Sequence, residues 1–420
     1  MLNGEATVIE RAVLVGLNAD GFSKEETATE ATLDELEALL ETAGGVCTAK
    51  VLQNRHAPDP HSFVGEGKVE EIRRLLETTE AGMVVFDNDL TPSQNRALEK
   101  LTGVKVLDRS ALILDIFAQR ARTKEGRLQV ELAQYKYLLP RLAGMWTHLE
   151  RQEGAMGSRG PGETQLETDR RLIRRRITRL EAELKEVRQV RAVQRERRRK
   201  NAVPVVALVG YTNAGKSTLL NCLTGAGIPA NDRLFDTLDT TTRRLRVSDN
   251  LEVLLSDTVG FIAKLPHHLV EAFKATLEEL EYADLLIHVI DAADPERDDH
   301  IAVVERLIAQ LAAPGTPVIS LYNKADLADP DLLPRGDNLL PMSARTGEGR
   351  EALLALIEEN LSRGLHTVRL LLPYSAAGQL DTLHTQASVR SVDYGADGIA
   401  VEAVVDAALY GRLRPYVQEG

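Results

Sequence analysis

Val205-Val206-Ala207-Leu208-Val209-Gly210-Tyr211-Thr212-Asn213-Ala214-Gly215-Lys216-Ser217-Thr218 runs from an apolar, β-like stretch through a glycine turn into the start of a helix. The spacing Gly210-x4-Gly215-Lys216-Ser217 is that of a phosphate-binding P-loop. Glycines let the backbone curl so that successive N–H groups point inward, and the following helix offers its positive end to the same anion. Lys216 is then expected to reach the β and γ phosphates and the Ser217 hydroxyl to sit on Mg²⁺, while Gly210, Asn213, Ala214, Gly215 and Thr218 line the phosphate site. The pattern is short, but here it lies between an apolar strand and a helix start. It predicts an α/β fold built on a P-loop NTPase G domain with a doubly wound sheet.

The other elements of such a domain follow in order within residues 201–364. Asp257-Thr258-Val259-Gly260 ends an apolar run, so Asp257 is placed to hold Mg²⁺ through water and the Gly260 N–H to contact a γ-phosphate. Asn323-Lys324-Ala325-Asp326 ends another. The Asp326 carboxylate can accept hydrogen bonds from guanine N1 and N2, an arrangement adenine does not offer. Ser343-Ala344-Arg345 fits the loop that backs the guanine carbonyl. Between P-loop and Asp257 lies Leu234-Phe235-Asp236-Thr237-Leu238-Asp239-Thr240-Thr241-Thr242, where Thr241 is assigned to Mg²⁺ and γ-phosphate, with Thr240 and Thr242 as rivals. Four elements in order predict a GTP- and GDP-binding site and a GTPase in which Lys216, Thr241 and Gly260 carry the phosphate chemistry.

Many GTPases place a water-orienting Gln directly after that Gly. This chain has Phe261, so unaided hydrolysis is expected to be slow. Asn213 has two readings: its side chain coordinates a K⁺ that supplies charge to the site, or it caps the loop.

Composition bounds the rest. Hydrophobic residues are 43% and charged residues 27%, which excludes a disordered chain and fits two to four soluble domains in 420 residues. Cys47 and Cys222 lie far apart with no CxxC, which suits a reducing cytoplasm and offers no zinc site. No signal peptide and no membrane-spanning run is expected. Residues 1–110 alternate β-runs (Ala12 to Leu17, Val46 to Leu52, Met83 to Phe86, Val104 to Leu107) with helix patterns, predicting a small parallel α/β domain.

From Leu128 the spacing becomes heptad-like through Leu132, Tyr135 and Leu139, and again through Ile173, Ile177, Leu180, Leu184 and Val187. Residues 111–200 therefore read as a long antiparallel helical hairpin, its two helices separated by the Gly/Pro-rich loop Gly154 to Glu163. Residues 170–200 hold fourteen Lys or Arg against four Glu, a net of +10 that leaves −22 for the remainder of a chain of net −12. A helix so poor in compensating acids predicts contact with a phosphate backbone, with Arg159, Arg174, Arg175, Arg198 and Arg199 as candidates. Residues 365–420 read as a small α/β C-terminal domain, with strands near Val368 to Leu372 and Ile399 to Val404.

Nearly the whole chain resembles the HflX family of translational GTPases. The resemblance is carried by Phe63-Val64-Gly65-Glu66-Gly67-Lys68, Asp87-Asn88-Asp89-Leu90-Thr91-Pro92-Ser93-Gln94, and Arg159-Gly160-Pro161-Gly162-Glu163-Thr164-Gln165-Leu166-Glu167 followed by Asp169-Arg170-Arg171. Thr237-Leu238-Asp239 and Phe261 fit as well. The resemblance implies a GTPase that binds the large ribosomal subunit and its rRNA through the N-terminal domain and hairpin; the chain is expected to be a cytoplasmic monomer. The resemblance also implies a role in ribosome splitting or rescue, often under stress. The chain departs from the family pattern at Thr240, where Pro is usual, and at Glu153-Gly154-Ala155-Met156, where a run of glycines is common.

Overall fold

A computed structural model of the chain describes residues 10–24, 26–142, 161–200, 203–225, 227, 234–235, 241–249, 251–264, 280–362 and 365–418. At the N-terminal end, β1 (Arg11–Ala19), α1 (Glu30–Ala43), β2 (Val46–Arg55), α2 (Glu66–Thr79), β3 (Met83–Phe86), α3 (Pro92–Thr102) and β4 (Lys105–Asp108) alternate in sequence. Their strands form a parallel sheet in the order β2-β1-β3-β4. β3 is buried at every residue and β1 at most, which is why both read as unbroken apolar runs: helices cover both faces of the sheet. The helix ends are local chemistry. The Thr29 side chain accepts the Thr32 N–H at the start of α1, and Gly44, at φ 94°, closes it. Thr91 caps α3 ahead of Pro92, whose missing N–H is not needed there.

In this strand order the crevice at the carboxyl ends of β1 and β3 is where an α/β sheet usually takes a ligand. Here the chain fills it. Asn88 accepts the Leu17 N–H at 2.9 Å and donates to the carbonyls of Leu17 and Glu26. Asp87 is held by Arg109, which donates from Nε and Nη2 at 3.0 and 2.6 Å.

α4 (Arg109–Arg120) starts directly at the end of β4, capped by Asp108, whose carboxylate accepts the Ala111 N–H at 2.9 Å. The sequence reading missed this helix. Leu112, Ile113, Leu114, Ile116 and Phe117 are all buried and form an apolar run of strand length broken only by Asp115, so the short exposed side of Asp115, Ala118 and Gln119 gives little helical period to read. α5 (Lys124–Leu138) and α6 (Pro161–Lys200) are the two expected long helices. Leu128, Leu132, Leu180 and Leu184 of the two seams are buried, and Arg176 pairs with Glu131 and Lys136 with Glu181 across them. The expectation of a non-helical Gly154 to Glu163 fails at its end. α6 already includes Pro161, Gly162 and Glu163, because Pro is well suited to a first helical position. Residues 143–160, with Arg159, lie outside the described residues.

The nucleotide segment contributes β5 (Val205–Gly210), α7 (Lys216–Thr224), β6 (Thr241–Arg246), β7 (Glu252–Asp257), β8 (Leu285–Asp291), α8 (Arg297–Leu311), β9 (Val318–Asn323), β10 (Leu339–Pro341) and α9 (Arg350–Ser362). The sheet order is β10-β9-β8-β5-β7-β6, parallel except for β6, which runs antiparallel to β7. This is the doubly wound arrangement expected, with β5 central and Leu208, Leu219, Leu255, Ile287 and Leu321 in one apolar core. Burying side chains of this size contributes roughly 1.5–3 kcal/mol each.

β11 (Leu365–Leu372), α10 (Gly378–Gln386), β12 (Ser388–Gly395), β13 (Gly398–Asp406) and α11 (Ala407–Leu413) complete the fold as an antiparallel sheet, β11-β13-β12. β12 was not expected from the sequence, because its Ser, Arg, Asp and Tyr leave it without an apolar run.

By internal packing the chain divides into two compact units. One holds the N-terminal sheet and also the described residues 234–235 and 260–264, which lie within the nucleotide segment in sequence. The other holds the P-loop, Thr241, Asp257 and the segments from 277 onward. No helix among the described residues is long and apolar enough to cross a membrane.

Candidate nucleotide-binding site

β5 delivers the P-loop from the middle of the sheet, and two glycines fit it there. A Cβ on Gly210 would lie 2.2 Å from the Val289 carbonyl oxygen of the neighbouring strand. Gly215 takes φ +96°, and a Cβ on it would lie 2.2 Å from Asn323 Nδ2. Asn213 also sits in the left-handed region, at φ 61°. α7 opens at Lys216 with Gly215 as its cap and no side chain accepting its first N–H groups, so those donors face the loop.

Lys216 is buried, and its ammonium donates to the carbonyls of Gly210 (3.1 Å) and Tyr211 (2.7 Å), which hold it folded back over the loop. Burial lowers its pKa to about 8, with Asp257 opposing the shift. The Ser217 hydroxyl donates to Asp257 Oδ2 at 2.8 Å, so the first turn of α7 meets the end of β7. Thr258 Oγ1 donates to the Leu208 carbonyl at 2.6 Å and fixes that strand end to β5. Thr241 begins β6 directly opposite Asp257 in the antiparallel register. Of its rivals, Thr242 lies within 3.4 Å of the Ser256 hydroxyl, and Thr240 is outside the described residues. Gly260 and Phe261 are buried, Phe261 to 2% exposure.

The base-side motifs are tied to the phosphate loop through one amide. Asn323 Nδ2 donates to the Ala214 carbonyl at 2.8 Å, and its Oδ1 accepts the Ala344 N–H at 2.9 Å. Lys324, at φ 60°, pairs with Asp291 at 2.6 Å. Asp326 carries Arg345 at 2.7 Å; its carboxyl is held below the usual range first by the Ser343 hydroxyl and then by Arg345. Thus Gly210, Asn213 to Ser217, Asp257, Asn323, Lys324, Asp326, Ser343 and Ala344 come from loops at one end of a single sheet. The sequence reading missed two supports. Arg345 was quoted without a role, and Tyr211 stacks on the His300 ring at 3.7 Å, with His300 in turn 3.1 Å from Asp294. Neither contact has a signal in sequence spacing.

A sheet of this order, with a P-loop leaving its central strand and Asn323-Lys324-Ala325-Asp326 ending another, defines a P-loop GTPase. Comparison with known families agrees. Residues 30–118 match the GTP-binding GTPase N-terminal family, 120–198 the GTP-binding GTPase middle region, and 205–324 the 50S ribosome-binding GTPase family. The GTPase HflX of Caldanaerobacter subterraneus subsp. tengcongensis is 48% identical over 97% of this chain and 94% of its own. That of Escherichia coli is 49% identical over 86% and 85%. Among solved structures, the GDP complex of SsGBP matches with a TM-score of 0.50 at 26% identity, over 84% of this chain and 99% of that one. The chain belongs to the HflX family of GTPases and is a GTP hydrolase.

Proposed function

We propose that the chain is a cytoplasmic, monomeric GTPase that binds the large ribosomal subunit and its rRNA and acts in ribosome splitting or rescue under stress. The reading divides the chain into residues 1–110, the hairpin 111–200, the GTP-binding segment 201–364 and a C-terminal domain 365–420. The observation that carries it is α6: a net of +10 over residues 170–200 in an otherwise acidic chain whose GTPase segment matches a 50S ribosome-binding family.

At the nucleotide, Lys216 supplies charge to the β and γ phosphates, the Gly260 N–H contacts the γ-phosphate, and the loop N–H groups of Asn213 to Thr218 cradle the rest. Asn323 and Asp326 select guanine, with Lys324, Ser343 and Ala344 completing the base side. The Ser217 hydroxyl and Asp257 carboxylate, 2.8 Å apart, are the hard oxygen donors that suit Mg²⁺, and Thr241 stands opposite them in the ladder. When bound, Mg²⁺ supplies neutralising charge at the β and γ oxygens. The exposed Asn213 is available to a K⁺, and turnover equal in K⁺ and Na⁺ would remove that role.

Phe261 cannot hydrogen-bond a water, so turnover is slow unless another group or a partner orders that water. The test is GTP turnover with and without purified large subunits, for the native chain, Lys216→Ala and a deletion of residues 159–163. Strong stimulation lost in both variants supports the reading. Intact GTP binding with no stimulation shifts it to a GTP-gated module for a protein partner, with hydrolysis incidental.

A further inference from the structure

A P-loop binds phosphate only while its backbone N–H groups are held in one curl, so the contacts that hold the curl matter as much as the donors. In this chain one carbonyl collects several of them. The Tyr211 carbonyl accepts Lys216 Nζ at 2.7 Å and the Ala214 N–H at 3.3 Å, so it sets both the turn of the loop and the place of the ammonium. The Tyr211 side chain is buried, at 7% exposure. Its ring lies flat on the His300 imidazole, with centroids 3.7 Å apart and planes 13° from parallel.

The imidazole is itself fixed. His300 lies in the first turn of α8, where its backbone N–H donates to the Glu296 carbonyl at 3.1 Å. Its Nδ1 stands 3.1 Å from Asp294 Oδ2. Asp294 also accepts the Glu296 N–H at 2.8 Å, which ties it to the start of the same helix. The hydrogen bond from His300 is the largest influence holding the Asp294 carboxyl below its usual range; the Glu296 N–H adds to it and burial opposes it. Asp294 is therefore a carboxylate that orients the ring. A contact serving only to fill a core needs apolar volume and nothing more. Here a partly exposed imidazole, held by a charge, fixes the plane of the Tyr211 ring as well as its place. Asp294, His300, Tyr211 and Lys216 form a continuous chain of contacts within one packed unit.

We propose that His300, oriented by Asp294, is a positioning residue for the P-loop. Its stack on Tyr211 fixes the carbonyl that places the Lys216 ammonium and the loop N–H groups for the β and γ phosphates. Neither His300 nor Asp294 belongs to the motifs that contact the nucleotide. A loop residue held before the nucleotide arrives loses no conformational entropy on binding, so more of the interaction energy appears as affinity. The gain is confined to the phosphate end, because Asn323 and Asp326 hold the base from another strand end. The inference rests on the phosphate role assigned to Lys216 and is independent of the ribosome.

The test is affinity for GDP and for inosine diphosphate, which lacks the guanine 2-amino group, with kcat/KM for GTP measured without ribosomes. The variants are His300→Ala, His300→Phe and Tyr211→Leu in the full-length chain. His300→Ala and Tyr211→Leu are each expected to weaken both diphosphates about tenfold, leaving the ratio between them within about twofold of native, and to lower kcat/KM by a similar factor. His300→Phe keeps a flat ring on Tyr211 and is expected to return to within about threefold of native. A residue with only a structural role would disturb the β8–α8 loop at large, where Asp291 holds Lys324 of the base side, and so change the ratio with no recovery by Phe. A changed ratio, no recovery by Phe, or undiminished GDP affinity in His300→Ala overturns the proposal. If His300→Ala does not fold, Tyr211→Leu decides by the same affinities. Lys216→Ala is the control for the underlying reading. Normal GDP binding by that variant removes the phosphate role of Lys216, whereas its loss beside an unaffected His300→Ala removes only the role of His300.

Discussion

Lys216 is a charge kept out of water and held by the backbone carbonyls of Gly210 and Tyr211. Its pKa of about 8 in the folded chain lies below the ordinary 10.5. Between those values the unfolded chain binds more protons than the folded one, so this lysine's contribution to the stability of the nucleotide-free protein rises with pH. A bound phosphate favours the ammonium, so nucleotide binding in the same window takes up a proton. GDP affinity should therefore fall as pH rises above about 8, by at most about tenfold per pH unit. Titrating GDP from pH 7 to 9 checks this. Lys216→Ala should bind far more weakly with no such slope, and a flat native profile would mean that the ammonium is not the group being titrated. The phosphate side of the site was legible in the sequence because each role depends on a residue type at a fixed spacing from a strand end. The Lys264–Asp87 pair was not, since 177 residues separate its members and only the fold brings them together.

At the scale of elements, the pair Asp108-Arg109 sends its two side chains to different neighbours. Arg109 holds Asp87 and Glu35. Asp108 accepts the Tyr137 hydroxyl at 2.8 Å and Arg141 at 3.0 Å, fastening α5 to the end of β4. Burial raises the Asp108 pKa, with the Ala111 N–H and Arg141 opposing the shift, so each donor lost is felt. Tyr137→Phe should lower stability by about 1–3 kcal/mol, measured by denaturant unfolding, because a buried carboxylate loses a donor that water cannot replace. An effect below about 0.5 kcal/mol would mean that Arg141 satisfies Asp108 by itself. Elements with a clear period or an unbroken apolar run could be read from the sequence: β1, β3, β5, β8 and the seams of α5 and α6. α4 could not, since its apolar run from Ala111 to Phe117 is broken only by Asp115 and has strand length, nor could β6, whose Thr241-Thr242-Arg243-Arg244 reads as a polar loop until the β7 ladder pairs it.

For the whole molecule, charge is the property that the chain's average conceals. If α6 meets rRNA, affinity for the large subunit should fall linearly in a log–log plot against salt. Changing Arg174 and Arg175, both exposed, to Gln should weaken binding and reduce that slope by about 2. An unchanged slope would take these two residues out of the contact. The same helix has a practical consequence at the bench. At about 1.5 Å per residue its 40 residues form a rod of about 60 Å. A protein of net charge −12 should be retained by an anion exchanger, yet a helix of this local charge is expected to bind heparin as well. If α6 binds polyanions, preparations taken from the first column alone should carry fragments of cellular RNA, visible as excess absorbance at 260 nm. Turnover measured on them would be that of an RNA-loaded enzyme, and a high-salt heparin step should come before any rate is called basal.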